Sequence, residues 1–123
     1  MIETTEKGVG VKLPNAHLAR VEQGKIIDYL LNPQHRFGAS KAQFFAGYGF
    51  HLQEWESLED SLRAHGQKYD VGKVTETGFG PRYQVDGELP APDGRRPLVR
   101  TIWQMDKGQL APRLITAYPL QPS

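Results

Sequence analysis

The amino-acid sequence predicts an α+β fold, with three N-terminal helices packed on one face of a four-stranded antiparallel β-sheet of meander order. Two observations support this prediction. Apolar residues recur at helical spacing in the first half of the chain and alternate at strand spacing from Val71 onward. The helical segments precede the strand-like segments rather than alternating with them, which favours helices segregated to one side of an antiparallel sheet.

Three segments of the first half have the pattern of helices. Residues 24–31 place isoleucine and leucine at helical spacing and end at an Asn-Pro pair, which cannot continue a helix. Residues 41–48 carry an aromatic stripe, and Ser40 before them is a predicted N-cap. Residues 53–65 place acidic side chains first and basic ones last, as the helix dipole favours, and Gly66 is their predicted C-terminal stop.

Four segments of the second half have the pattern of strands, and turn-forming glycines and prolines separate them. The second alternates most clearly, with Tyr83, Val85 and Leu89 on the predicted core face and polar residues between them. The third is mostly apolar on both faces, which indicates a central strand. The predicted strands comprise residues 71–79, 82–89, 98–105 and 113–118.

Length and composition bound the class of protein. The 123 residues fit one domain, predicted at 13–119, with a flexible arm at 1–12 and a loose tail at 120–123. The sequence contains no cysteine, which excludes disulfides and thiolate sites, and no apolar run long enough to cross a membrane. We expect a cytoplasmic protein without membrane contact, or one delivered into the cytoplasm of a target cell.

Charge and motifs exclude several kinds of site. The net charge is +1, although residues 1–62 carry −2 and residues 63–123 carry +3, so the second half permits a phosphate partner. The four histidines are not spaced as metal ligands, and we predict neither a metal nor a cofactor. The chain has no glycine-rich nucleotide loop and no serine-hydrolase elbow.

One candidate site lies in the helical half, around a glycine-containing loop. His35 and Lys41 flank this loop, and Lys41 opens the second predicted helix behind the Ser40 cap. A lysine is unusual there because the helix dipole disfavours a cation at its N-terminus, whereas a phosphate bound by the free N–H groups would offset that effect. The alternative is an ordinary surface loop with incidental polar residues.

A second candidate set lies on the sheet. Arg100 interrupts an apolar strand, and Thr116 and Tyr118 share one predicted face of the last strand. A charged residue within a central strand needs a partner or a function, and the alternative to a function is an ion pair with Asp86 or Glu88 on the neighbouring strand. RNA cleavage without a metal requires a base, an acid and cations, which the residue types of the two candidate sets can supply.

Several stretches of sequence carry a family resemblance. They are LPN at 13–15, YLLNPQH at 29–35, KAQFF at 41–45, PDG at 92–94, VRTIW at 99–103 and PRLITAYP at 112–119. Together they resemble a bacterial family catalogued as a domain of unknown function. The resemblance spans roughly residues 13–119, which is nearly the whole chain.

A more distant resemblance concerns the order of helices and strands, with a last strand reading ITAYP. This pattern is similar to the superfamily that groups barnase, EndoU, colicin nucleases and RelE-type toxins. The resemblance implies a metal-independent ribonuclease that a cognate immunity protein or antitoxin neutralises. The chain lacks paired histidines like those of EndoU, so His35 is the first candidate for the base and Lys41 the second. The implied catalytic residues are His35, Lys41, Arg100, Thr116 and Tyr118.

We therefore predict a ribonuclease toxin domain that cleaves RNA, tRNA being one candidate, by attack of the 2′-hydroxyl on the phosphodiester. Arg82, Arg113 and Trp103 are predicted to contact the substrate. The alternative is a non-catalytic protein-binding module, such as an antitoxin, an immunity protein or a phage-related adaptor. Its interface would contain Trp103, Tyr118 and the Arg95-Arg96 loop. A third interpretation is an enzyme acting on another substrate, such as a nucleotide hydrolase.

Overall fold

The second half of the chain forms one antiparallel sheet whose strands pair in sequence order. The computed structural model describes residues 11–120, and within them the sheet has the order β1-β2-β3-β4. The predicted α+β class and the four-stranded antiparallel meander are thereby confirmed. The strands are β1 (Val71–Thr77), β2 (Gly80–Glu88), β3 (Leu98–Gln104) and β4 (Arg113–Pro119).

The two faces of the sheet differ because successive side chains of a strand point to opposite sides. On the inner face, Val85, Thr101 and Ala117 lie beside one another across three strands and are fully buried. The neighbouring row on the outer face is polar and half-buried, with Arg100 at its centre. The alternation predicted for the second strand is present, since Val85 and Leu89 are buried and the polar residues between them are not.

A β-bulge interrupts the pairing of β3 with β4. Ile102 pairs with Thr116 and Trp103 pairs with Leu114, so Ile115 has no partner on β3. A bulge bends its strand and redirects side chains. Consequently Ile115, which strict alternation would place on the face opposite to Thr116, lines the same surface pocket as Thr116.

Three helical segments occupy the places that the sequence predicts, but their ends differ. The first is a short α-helical turn that continues as a π-helix, in which the Leu31 N–H donates to the Ile26 carbonyl oxygen. The segments are α1 (Gln23–Lys25), the π-turn (Ile26–Leu30), α2 (Ala39–Gly47) and α3 (Trp55–Lys68). None of the helices within residues 11–120 is long and apolar enough to span a membrane. The packing of all three segments on one face of the sheet stays a prediction.

Helix α2 begins earlier than predicted, and Ser40 is not its N-cap. Gly38 occupies the N-cap position, and Ser40 and Lys41 lie in the first turn. A Cβ atom at Gly38 would lie 2.5 Å from the carbonyl oxygen of Tyr29, so only glycine fits there without displacing the backbone. The close approach of the loop to Tyr29 therefore determines where the helix starts.

Helix α3 ends later than predicted, and Gly66 is not its C-terminal stop. The helix continues through Gly66 to Lys68. A Cβ atom added at Gly66 would collide with the ring of Trp103, whose side chain is fully buried. The glycine therefore makes room for the indole ring between α3 and the sheet, which is a packing role rather than a helix-ending one.

The buried side chain of His65 links α3 to the sheet. Its Nε2 lies 2.9 Å from the Val99 carbonyl oxygen and 3.1 Å from that of Gly87, so this nitrogen carries the ring hydrogen and donates it. Its Nδ1 lies 3.1 Å from the hydroxyl of Thr101, which accepts the indole N–H of Trp103 at 2.8 Å. Burial lowers the pKa of His65 because the charged form would lose its hydration.

Both ends of the described chain are attached to the sheet. The Val11 carbonyl oxygen accepts the N–H of Val71 at 2.7 Å, next to the start of the edge strand β1. At the other end, the Leu120 N–H donates to the Leu98 carbonyl oxygen at 3.0 Å, which continues the pairing of β4 with β3. The rest of the predicted arm and tail falls outside the described residues.

Candidate functional site

An open pocket lies at the edge of the sheet, where β4 meets the helical half of the chain. Its volume is about 720 Å³. The π-turn and the loop that follows it contribute one wall, and β4 contributes the other. The two candidate sets from the sequence each contribute one residue, His35 from the loop and Thr116 from the strand. The lining residues are Glu22, Gly24, Lys25, Asp28, Tyr29, His35, Phe37, Ile115 and Thr116.

A hydrogen bond across the edge of the sheet joins the two walls. The hydroxyl of Tyr29 lies 2.9 Å from Oγ1 of Thr116, and 87 positions separate these residues along the chain. Tyr29 belongs to the π-turn, and such turns occur frequently at functional sites. The bulge at Ile115 is the corresponding irregularity of the opposite wall, and bulges are also common next to active sites. Two departures from regular backbone therefore meet at one pocket.

His35 lines the pocket with one ring nitrogen already engaged. Its Nδ1 accepts the backbone N–H groups of Phe37 and Gly38, both at 2.9 Å. The neutral ring therefore carries its hydrogen on Nε2, and Nε2–H is the group available to a ligand. The ring packs edge-on against Tyr29, with the centroids 4.9 Å apart. His35 can thus donate a hydrogen bond or a proton, whereas taking up a proton at Nδ1 would break both backbone bonds.

Two lysines share the aromatic ring of Tyr29. The ammonium nitrogen of Lys25 lies 5.2 Å from the ring centroid, and that of Lys41 lies 5.7 Å from it. Cation–π contacts of this kind position a cation without neutralising it. Lys41 also donates to the carbonyl oxygen of Phe37 at 3.4 Å. Lys25 lines the pocket, whereas Lys41, the lysine that the sequence singled out, contacts the residues that line it.

Arg100, a predicted catalytic cation, is held by its neighbours on the outer face. Asp86 accepts two hydrogen bonds of 2.8 and 3.0 Å from its guanidinium group, whose carbon lies 6.0 Å from the ring centroid of Tyr118. The Asp86 hydrogen bond, and after it the Tyr118 hydrogen bond, raises the pKa of Arg100. The ion pair weighed as the alternative is therefore present. Tyr118 lies two residues from Thr116 on the same face of β4, so this row adjoins the pocket without lining it.

The three predicted substrate contacts lie away from the pocket. Arg113 donates to Asp106 at 2.6 Å, and this bond lowers the pKa of the Asp106 carboxyl group. Arg82 donates to the side chain of Gln104 at 3.0 Å. Trp103 is fully buried, so the prediction that it contacts a substrate or a partner is corrected: its indole ring belongs to the core.

Three pocket residues were not among the predicted site residues, namely Lys25, Asp28 and Tyr29. Their segment was assigned from its apolar spacing, which accounts only for the isoleucines and leucines. The four-residue separation of Lys25 and Tyr29 is the signal that could have placed these two side chains together. Within residues 11–120, no group of three or more histidine, aspartate or glutamate side chains could hold a metal ion.

Comparison with known proteins places this fold and pocket in a family. A family model described as "Domain of unknown function (DUF6883)" matches residues 12–121. The chain belongs to this family. The resemblance to a domain-of-unknown-function family, inferred from short sequence stretches, is thereby confirmed for DUF6883. No curated protein matches the chain.

The DUF6883 domain also has a relative of similar fold among solved structures. It is a chain from a contact-dependent growth inhibition toxin–immunity protein complex of Klebsiella pneumoniae 342. The two chains superpose with a TM-score of 0.67 at 15% identity, and the match covers 87% of this chain and 97% of the other. At such low identity, the likeness shows a shared fold.

Proposed function

We propose that this DUF6883 domain is a metal-independent endoribonuclease of the toxin type. The observation that carries the proposal is the convergence of the His35 N–H, the Tyr29–Thr116 hydroxyl pair and the Lys25 ammonium group on one open pocket. A hydrogen donor, hydroxyl groups and a cation are the groups that stabilise a phosphodiester as it becomes pentacovalent. The relative of similar fold comes from a toxin–immunity complex, which agrees with this proposal.

The chemistry follows from the hydrogen positions in the pocket. Asp28 takes the proton of the ribose 2′-hydroxyl, whose oxygen forms a bond to phosphorus. The bond from phosphorus to the 5′-oxygen breaks, and His35 gives its Nε2 proton to that leaving oxygen. Lys25 and the hydroxyls of Tyr29 and Thr116 contact the phosphoryl oxygens. The products are a 2′,3′-cyclic phosphate and a free 5′-hydroxyl, so atoms and charge balance without water.

The assignment of His35 as the acid rests on its Nδ1 contacts. A general base needs an unprotonated nitrogen facing the substrate, and the only such nitrogen of His35 is occupied by two backbone N–H groups. The base is therefore placed on a carboxylate. Asp28 and Glu22 both line the pocket, and Glu22 lies 3.7 Å from Arg20, whereas Asp28 has no ion pair within the described residues.

The experiment is a cleavage assay of the purified domain on total RNA and on tRNA, with EDTA present. The wild type should cut, and its products should end in 2′,3′-cyclic phosphates. Asp28→Asn and His35→Ala should each reduce the rate by about 10²-fold or more, which is the usual contribution of a general acid or base. His51→Ala removes an exposed histidine outside this pocket and is the matched control. Absence of cleavage, or full activity of both site variants, would overturn the proposal.

The second candidate is a protein-binding role, as an immunity protein or antitoxin. The observation that favours it is an apolar surface at one end of the sheet, where Phe79 and Leu110 are 74% and 70% exposed. Expression in a host cell separates the two candidates. A toxin arrests growth unless its immunity partner is present, and Asp28→Asn relieves the arrest. A binding module leaves growth unchanged.

A further inference from the structure

The aromatic ring of Phe37 is exposed at the rim of the pocket. Its side chain belongs to a residue that is 68% exposed, although a phenylalanine ring is normally among the most buried groups of a domain. Phe37 lines the pocket beside His35, with the ring centroids 6.2 Å apart. An exposed aromatic ring at the mouth of a polar pocket indicates a ligand with a flat apolar face.

The backbone of Phe37 is held in position on both sides of the residue. Its N–H donates to Nδ1 of His35 at 2.9 Å, and its carbonyl oxygen accepts from Lys41 at 3.4 Å. The next residue, Gly38, is packed so closely on Tyr29 that a side chain there would collide with it. The ring is therefore presented by a fixed loop, so little conformational entropy would be lost on ligand binding.

A cation lies beside this ring. The guanidinium carbon of Arg36 is 5.3 Å from the ring centroid of Phe37. An aromatic face next to cations is the combination with which proteins bind single-stranded nucleic acid, since every base has a flat face and every nucleotide carries a phosphate. Here Arg36 and Lys25 lie on either side of the stretch between Phe37 and the pocket floor in the lining order, so both parts of a nucleotide find a matching group.

We propose that Phe37 stacks on the nucleobase next to the scissile phosphate, and that the substrate class is single-stranded RNA. This inference rests on the proposed ribonuclease function and narrows it. In a duplex, both faces of each base are covered by neighbouring bases, so an aromatic side chain can stack only on an unpaired base. Cleavage should therefore be confined to loops, single strands and unpaired ends.

The first test compares cleavage by matched phenylalanine variants. Phe37→Ala should slow the cleavage of a single-stranded oligoribonucleotide by between about 5-fold and 150-fold, the range for loss of one base–aromatic stack. Phe37→Trp should retain activity because it keeps an aromatic face. Phe79→Ala removes an equally exposed ring from the β1–β2 turn and should cleave like the wild type. The same oligoribonucleotide annealed to its complement should resist cleavage.

The second test reads stacking without cleavage. A single-stranded pentaribonucleotide containing 2-aminopurine is mixed with the Asp28→Asn variant, which retains both Phe37 and the His35 bonds that hold it. Stacking should quench the 2-aminopurine fluorescence, and the additional Phe37→Ala substitution should abolish the quenching. Adding Phe79→Ala instead should leave it unchanged.

The outcomes separate this inference from the proposed function. If the wild type cleaves RNA but Phe37→Ala equals Phe79→Ala, or the duplex is cut as fast as the single strand, the inference is overturned and the ribonuclease proposal stands. If no RNA is cleaved but quenching depends on Phe37, the ribonuclease proposal fails and the stacking site stands. If neither cleavage nor quenching occurs, both are overturned.

Discussion

Two histidines of this domain hold the same tautomer in opposite surroundings. His35 and His65 both carry the ring hydrogen on Nε2, because each Nδ1 faces a donor. The Nε2–H of His65 is used up by two carbonyl oxygens in the core, whereas that of His35 is left at the pocket. One ring therefore fixes the fold, and the other is available to a ligand.

The buried histidine predicts a pH-dependent stability. Burial holds the pKa of His65 below its usual value of 6.5, so the unfolded chain binds a proton before the folded one does. The contribution is present in full above pH 6.5 and is lost as the pH falls from there towards the folded pKa. Urea unfolding between pH 7.5 and 5.5 should show the free energy of unfolding decreasing, by at most about 1.4 kcal/mol per pH unit for this one group.

A variant that cannot titrate provides the control for this prediction. His65→Gln should be less stable at pH 7.5, because glutamine cannot make all of the bonds of the ring. Its stability should also change less between pH 6.5 and 5.5 than that of the wild type. An equal slope in the two proteins would assign the pH dependence to the more exposed histidines.

At the residue scale, the sequence predicted side chains whose chemistry is unusual for their position. Arg100 inside a central strand implied a partner, and Asp86 is that partner. His35 beside a glycine-containing loop was also found at the pocket. Trp103 was misjudged because an aromatic residue looks the same in sequence whether its ring lies in the core or at a surface. Tyr29 was missed because its neighbour Thr116 is 87 positions away.

At the element scale, Gly66 explains why α3 ends where it does, and it supports a stability prediction. Gly66→Ala should destabilise the domain by about 1–3 kcal/mol, because the new methyl group would overlap the Trp103 ring in a packed core. Gly47→Ala in α2 is the matched control, since nothing lies within 4 Å of its added Cβ. The control should be neutral or stabilising by up to about 1 kcal/mol. Urea unfolding measures both, and equal effects would contradict this role of Gly66.

Strands were predicted more accurately than helix ends, for a physical reason. Alternation of apolar and polar residues reports directly on which face is buried, so β2, β3 and β4 begin and end close to their predicted bounds. The ends of α2 and α3 depend instead on Gly38 and Gly66, whose role is to admit an aromatic side chain or backbone from elsewhere in the chain. The π-turn and the β-bulge, which shape the pocket, leave no periodic signal in the sequence.

At the scale of the whole molecule, the net charge of +1 bounds how the domain can hold RNA. Attraction by the overall field is small, so binding must depend on the few cations near the pocket, Lys25, Arg36 and Lys41. About three phosphate contacts give a slope of roughly −2 in log affinity against log salt for a single strand. Raising the salt from 50 to 200 mM should therefore weaken binding by roughly 20-fold.

Fluorescence anisotropy of a labelled oligoribonucleotide with the Asp28→Asn variant measures this slope. Adding Lys25→Gln should reduce its magnitude by about 0.7, the contribution of one phosphate contact. Lys73→Gln, on the edge strand β1 at the opposite side of the sheet, should leave it unchanged. A slope that responds equally to both lysines would place the RNA outside the pocket.

The hydrogen bond between Tyr29 and Thr116 has a consequence for the handling of this domain as two pieces. A cut in the loop between β3 and β4 puts the two hydroxyls on separate fragments, and neither fragment alone contains both walls of the pocket. Catalysis would return only when the fragments reassemble and β4 pairs with β3 again. Divided at that loop, the domain would act as a complementation reporter whose signal is cut RNA.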